Sequence, residues 1–179
     1  TVDYGSTNWK DVGDHTATIT GKPDGNYSII GTPSKTFTIL PAGQSPLSIV
    51  GQPGEVRYGT VFTLSTNGGS GTGAVTWETS DNTVAFINSQ TGRVEIRKAG
   101  GPVTITARKA AGGGYGETTA TWTFSAEKRP ATAIVTARNK PYNGDAAATL
   151  DISWKDGDLI NGDTITLNLT GTFDDANVG

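Results

Sequence analysis

Cysteine and methionine are absent from the 179 residues, and histidine occurs once. Without a thiol, cysteine catalysis and cysteine-ligated zinc are excluded. His15 stands between Asp14 and Thr16 inside an alternating apolar–polar stretch. Its residue-level reading is a strand-surface side chain rather than the base of a nucleophile–base pair. No run of about 18 apolar residues occurs, so no segment reads as a membrane-spanning helix. Positive charge is also sparse: 14 Lys and Arg stand against 17 Asp and Glu, a net charge of −3. The densest basic stretches, "RKAGG" from Arg97 and "EKRP" from Glu127, are too short for the basic stripe that nucleic-acid binding needs. No initiator or signal peptide is visible at Thr1, so the expectation is a processed product or an excised segment.

What is present is punctuation and alternation. The chain carries 25 Gly and 8 Pro, and only 34% of its residues are hydrophobic. Period-two patterns recur between Gly, Pro, Asn and Asp, and no stretch holds a helical period. Strands are expected at His15–Thr20, Lys35–Leu40, Pro46–Gly51, Thr60–Thr66, Ala74–Ser80 and Gly92–Lys98. Further strands are expected at Pro102–Lys109, Glu117–Ser125, Thr132–Arg138 and Asp163–Gly171. Thr and Val dominate them, as suits pleated, half-buried surfaces. Short strands at such close spacing predict antiparallel β-sandwiches and no significant helix.

Two proline-bearing stretches, Leu40–Pro46 and Ser125–Ala133, read as short, stiff linkers. They divide the chain into 1–40, 41–127 and 128–179. The middle segment is long enough for one complete sandwich. Either flank alone buries too little apolar surface for that. The expectation is therefore that the flanks pair, within the chain or head to tail between chains, since unpaired strand edges invite pairing.

The stretch "AVTWETSDNTVAFINSQTGRVEIRKAGGPVTITARKA" resembles the bacterial Ig-like group 2 domain. Trp77, Ser80 with Asp81, Val84 with Ala85, Gly92 with Val94, Gly100 with Gly101, and Ile105 to Ala107 carry that resemblance. The Gly-rich "AAGGGYGE" departs from it. The flanks resemble the Tyr-Asp-Gly repeats of bacterial surface proteins. "ARNKPYNGDAAATL" supplies an opening half, with Asn143 where Asp is usual. "DVGDHTATITGKPDGNYSIIGTPSKTFTI", with its Gly25–Tyr27 step, supplies a closing half. The resemblance implies Ig-like sandwiches in tandem on an extracellular bacterial surface, with no enzymatic activity.

Candidate sites are few. Asp156, Asp158, Asn161 and Asp163 form an oxygen-rich turn that could hold calcium, as could Asp174, Asp175 and Asn177. The EF-hand spacing is not met, because Ile160 occupies a ligand place. Asp and Asn are also ordinary turn residues. No other cofactor is expected, and every acidic pair lies in such a turn, so the chain is read as no enzyme. Trp77 and Trp122 fall on central strands and read as core, whereas Trp9 and Trp154 sit in weaker contexts. Tyr115, at the tip of "GGGYGE", is the candidate ligand-stacking residue. The resulting reading is a structural and adhesive segment of a bacterial cell-surface or secreted protein. Its partners would be neighbouring domains, another copy of itself, or a host protein or glycan, with no nucleic acid and no membrane insertion. The alternative is a carbohydrate-binding accessory module of a secreted enzyme.

Overall fold

The computed structural model describes residues 2–3, 11–19, 26, 34–141, 143–160, 162–172 and 174. Among them every regular element is a strand. The N-terminal flank holds β1 (Val2–Asp3), β2 (Gly13–Ile19) and β3 (Ser34–Ile39), in an antiparallel sheet of order β1-β2-β3. The middle segment holds β4 (Leu47–Val50), β5 (Val61–Thr63), β6 (Ser65–Gly68), β7 (Val75–Thr79) and β8 (Ala85–Ile87), followed by β9 (Arg93–Ile96), β10 (Gly100–Lys109) and β11 (Thr118–Ala126). The C-terminal flank holds β12 (Ala133–Ala137) and β13 (Leu150–Trp154), paired antiparallel.

The middle strands form the sheets β11-β10-β7, β5-β9-β8 and β4-β6. Alternation decides which side chains they bury. Val103, Ile105 and Ala107 on β10 are each 0% exposed, while the residues between them point outward. Trp77 of β7 lies opposite Ala107, and Trp122 of β11 lies opposite Ile105. Against this face pack Ala85, Ile87, Val94 and Ile96 from β8 and β9, with Leu47 and Ile49 from β4. Partly buried Trp122 stacks on Phe124 and meets Phe62 of β5 edge to face at 6.0 Å. The result is an antiparallel β-sandwich, as the spacing of the strands predicts.

Turn chemistry sets the connections, from β7 across to β8 in the other sheet and from β8 back to its partner β9. The Asp81 carboxylate accepts from the Thr83 amide (2.8 Å) and hydroxyl (2.7 Å), and the hydroxyl bond foremost holds its pKa below the ordinary value. Asn88 Oδ1 accepts from the amides of Gln90 and Thr91. Gly92 has φ +69°, and a Cβ there would stand 2.5 Å from the Leu64 carbonyl oxygen and 3.1 Å from the Trp77 ring. Only glycine fits this junction.

Several strand boundaries differ from the expectation. Thr60–Thr66 splits at Leu64, whose side chain is 2% exposed: β5 and β6 belong to different sheets. A single alternating run thus serves two sheets because its central residue turns into the core. Asp163–Gly171 was expected as a strand, yet residues 163–171 carry none; Ala147 instead forms an isolated bridge to Thr172. The strands β8 and β13 were not expected. Among the described residues, β1–β3 and β12–β13 form separate sheets.

Among the described residues, all buried apolar side chains lie between Leu47 and Ala126. In the flanks, Phe37, Ile134, Val135, Ile165, Leu167 and Leu169 are exposed. This asymmetry predicts where stability resides. Ile105→Ala should lower the unfolding free energy by about 2–5 kcal/mol. Ile134→Ala, at a side chain 49% exposed, should cost less than about 1 kcal/mol. Denaturant titration of both variants checks this, and equal losses would place the core elsewhere.

A candidate functional site at the joint

β11 has a flank at each end. Before its first residue, the Ala42 amide donates to Gly114 O (2.9 Å), and the Gly116 amide donates to Ala42 O (2.8 Å). Beyond its last, the Glu127 amide donates to Val56 O (2.8 Å), and the Tyr58 amide donates to Glu127 O (2.9 Å). Both bridges, Ala42 to Tyr115 and Arg57 to Glu127, are parallel. The segment from Ala42 to Arg57 therefore runs alongside β11 in the same direction. At a rise of about 3.3 Å per residue, the ends of β11 lie roughly 25–30 Å apart.

The second of these ends carries the denser chemistry. Tyr58 donates its hydroxyl proton to Asp163 Oδ1 at 2.9 Å, across 105 residues of sequence. Arg129 donates from Nε to the Asp158 carbonyl (3.0 Å) and from Nη2 to the Gly157 carbonyl (2.9 Å). The Thr132 amide donates to Asp158 Oδ2 at 2.8 Å. The Ile160 side chain sits over Gly59, where a Cβ would stand 2.1 Å from Ile160 Cδ1. Bulk at Gly59 would push the Ile160 side chain away.

These bonds set the local electrostatics. The Asp158 carboxyl is held below its ordinary pKa, chiefly by the Thr132 amide, with Lys155 and Arg129 adding attraction. The Tyr58 hydroxyl is pushed up, chiefly because its proton is shared with the Asp163 carboxylate. Between the sandwich and the C-terminal flank lies a cleft of about 370 Å³. Arg97, Lys98, Lys128 and Arg129 line it together with Asp158 and Asp163.

The turn expected to offer calcium ligands thus serves the joint. Asp158 and Asp163 each receive a hydrogen bond from elsewhere in the chain, and Asp156 lies exposed beside them. Asn161, Asp175 and Asn177 fall outside the described residues. Among the described residues, no three acidic or histidine side chains gather closely enough to hold a metal ion. Tyr115 is half-buried, and the backbone on both sides of it holds Ala42. His15 stacks on its cross-strand neighbour Phe37, and its Nε2–H donates to the Asp11 carbonyl. Trp77 is core, Trp122 and Trp154 are half-buried, and Trp9 lies outside the described residues. Tyr58 and Arg129 carry no local sequence signal: their partners are distant and, for Arg129, are backbone carbonyls.

A YDG domain family model matches residues 127–179. The matched stretch begins at the residue that closes the parallel bridge and includes β12, β13 and the turn facing Tyr58. This corrects both family resemblances. The YDG domain is a different family from the Tyr-Asp-Gly surface repeat, and no Ig-like group 2 domain is found in the middle segment. The residues that carried the latter resemblance have local causes: Trp77 fills the core, Asp81 closes a turn and Gly92 fits a crowded junction. Such features arise in sandwiches generally. Of the N-terminal stretch, Gly25 and Tyr27 lie outside the described residues. No curated protein and no solved structure matches the chain.

The Asp158–Thr132 bond should give the joint a pH dependence. A carboxyl whose folded pKa is depressed stabilises above its unfolded value and loses that contribution as pH falls through the folded one. The Thr132 amide resonance should therefore titrate with a midpoint below about 3.9, the ordinary Asp value. Measured by NMR, a midpoint at or above that value would show that the bond does not form in solution.

Proposed function

We propose that this chain is a non-catalytic structural and adhesive segment of a bacterial cell-surface or secreted protein. The supporting observation is the pair of parallel bridges that flank β11. A pull that draws the N-terminal flank one way and the C-terminal flank the other shears the stretch from Ala42 to Arg57 along β11. The Ala42–Gly114 and Gly116–Ala42 bonds, together with the Glu127–Val56 and Tyr58–Glu127 bonds, then lie across the load and share it. A hairpin pulled from one end would instead lose its bonds one at a time. The buried seam of β10 backs this arrangement, so the sheared stretch is anchored to the most buried part of the molecule.

The surface placement belongs to the same reading. β-domains joined by proline-bearing linkers suit an extended stalk, in which short stiff connections set the spacing of successive domains. The exposed apolar residues of both flanks suit contact with neighbouring domains, or with another copy of the chain arranged head to tail. Such a head-to-tail contact is heterologous and propagates rather than closes.

Mechanical unfolding tests the proposal. Pulled between its two ends in a single-molecule experiment, the chain should resist in one dominant event that belongs to the sandwich. Glu127→Pro removes the amide that donates to Val56 O and should lower the force of that event. Extension without a resisting event, or an unchanged force in Glu127→Pro, would refute the load-bearing role.

A further inference from the structure

We propose that the cleft between the sandwich and the C-terminal flank binds a short acidic saccharide, one that bears carboxylates or sulfates among its hydroxyls. The proposal rests on the adhesive part of the reading above and names its ligand class.

Charge carries the argument first. The chain is acidic overall, with a net charge of −3, yet Arg97, Lys98, Lys128 and Arg129 converge on this one cleft. Among the described residues, no salt bridge is made by Lys98, Lys128 or Arg129, and Arg97 reaches Glu95 only at 3.9 Å; Lys98 attracts Asp81 and Arg129 attracts Asp158 at longer range. Arg129 is held by two backbone carbonyls. Those bonds fix the guanidinium in place, and its charge meets the Asp158 carboxylate only at a distance, with no salt bridge. Arg97 is likewise positioned, with its guanidinium 4.2 Å from the Phe86 ring centroid. Four cations against the two carboxylates Asp158 and Asp163 leave the cleft with a positive excess, and such a cleft concentrates anions.

The acceptors narrow the class. Asp158 and Asp163 stand in the same wall. Each uses one oxygen on a donor from the chain, Thr132 or Tyr58. A carboxylate has two oxygens and room for further donors. A polyphosphate or another dense polyanion would be repelled by two carboxylates at contact range. A saccharide that carries an isolated anionic group among hydroxyls meets both requirements: cations for the anion, and acceptors for the hydroxyl protons. Ala99, Ala131, Leu159 and Ile165 supply apolar surface between them, suited to the C–H faces of a sugar ring. The volume of about 370 Å³ falls within the range of about 300–1,000 Å³ seen for small-ligand sites.

Calorimetric titration of the whole chain with a tetrasaccharide that carries a single uronic acid tests this. Binding is expected, weaker at higher salt because exposed charges are screened, and absent for a neutral tetrasaccharide. Lys98→Gln combined with Lys128→Gln should weaken it about tenfold, the scale of two exposed charge contacts. Both lysines are exposed and outside the joint's hydrogen bonds, so the melting temperature should not move. Lys35→Gln, on β3, removes an equal charge elsewhere and should bind as the parent does. No binding, equal binding in the double variant, or tighter binding of an acidic hexapeptide would overturn the proposal. Saccharide binding that fails while the chain still resists pulling overturns the site and leaves the structural reading intact. Binding that persists in a chain without mechanical resistance supports the site and overturns the load-bearing role.

Discussion

The structure depends on one buried seam, the inward face of β10. Val103, Ile105 and Ala107 lose all contact with solvent, and every layer of the sandwich packs against them or against residues that touch them. Removing apolar surface from water stabilises by about 25 cal/mol per Å², and among the described residues the buried apolar surface gathers in the middle segment. The flanks have strands but no fully buried side chain among the described residues. A two-stranded sheet such as β12–β13 is marginal by itself in water. The flanks therefore hold their arrangement through what they attach to.

The attachments differ in kind. At the N-terminal end, backbone bonds around Ala42 fasten the chain to the Gly-rich turn that carries Tyr115. At the C-terminal end, side chains join in. Tyr58 reaches Asp163, Arg129 holds the Gly157 and Asp158 carbonyls, and the Thr132 amide occupies an Asp158 oxygen. Exposed polar bonds of this sort contribute modestly one by one. Their effect here is geometric: they fix the angle between sandwich and flank, and so form the cleft and aim its cations. One set of contacts thus underlies both parts of the functional reading, transmission of load along the chain and presentation of a charged surface at a joint.

Much of the fold was legible because alternation and burial coincide. The patterns around Trp77, Val94, Ile105 and Trp122 place those residues on strands, and the structure turns the same residues inward. Legibility failed where a strand is short or serves two sheets. "AFI" at β8 has three residues, too few to show a period, and Leu64 hides a change of sheet inside one alternating run. "LDISW" at β13 contains an apolar face, yet Asp151 and the nearby turn residues mask it; Asp151 in fact pairs across the hairpin with Arg138. Ile165, Leu167 and Leu169 alternate as well as any strand does, but alternation states what a segment can bury, not whether a neighbour is there to pair with it. The site was legible only in part. Asp158 and Asp163 stood out as a cluster of oxygens, but their partners Thr132 and Tyr58 lie 26 and 105 positions away, beyond any local pattern. The family resemblances failed for a related reason, since a buried tryptophan, an Asp turn and a crowded glycine are solutions common to many sandwiches.

Native-state hydrogen exchange reads stability amide by amide and so shows whether the flanks lean on the β10 seam. The β10 amides of Ile105 and Ala107 should exchange last, through global unfolding. The amides of β2–β3 and β12–β13 should exchange much faster, through local opening that leaves the sandwich intact. Protection in β12–β13 equal to that of β10 would contradict the account, since the flank would then share one cooperative core with the sandwich.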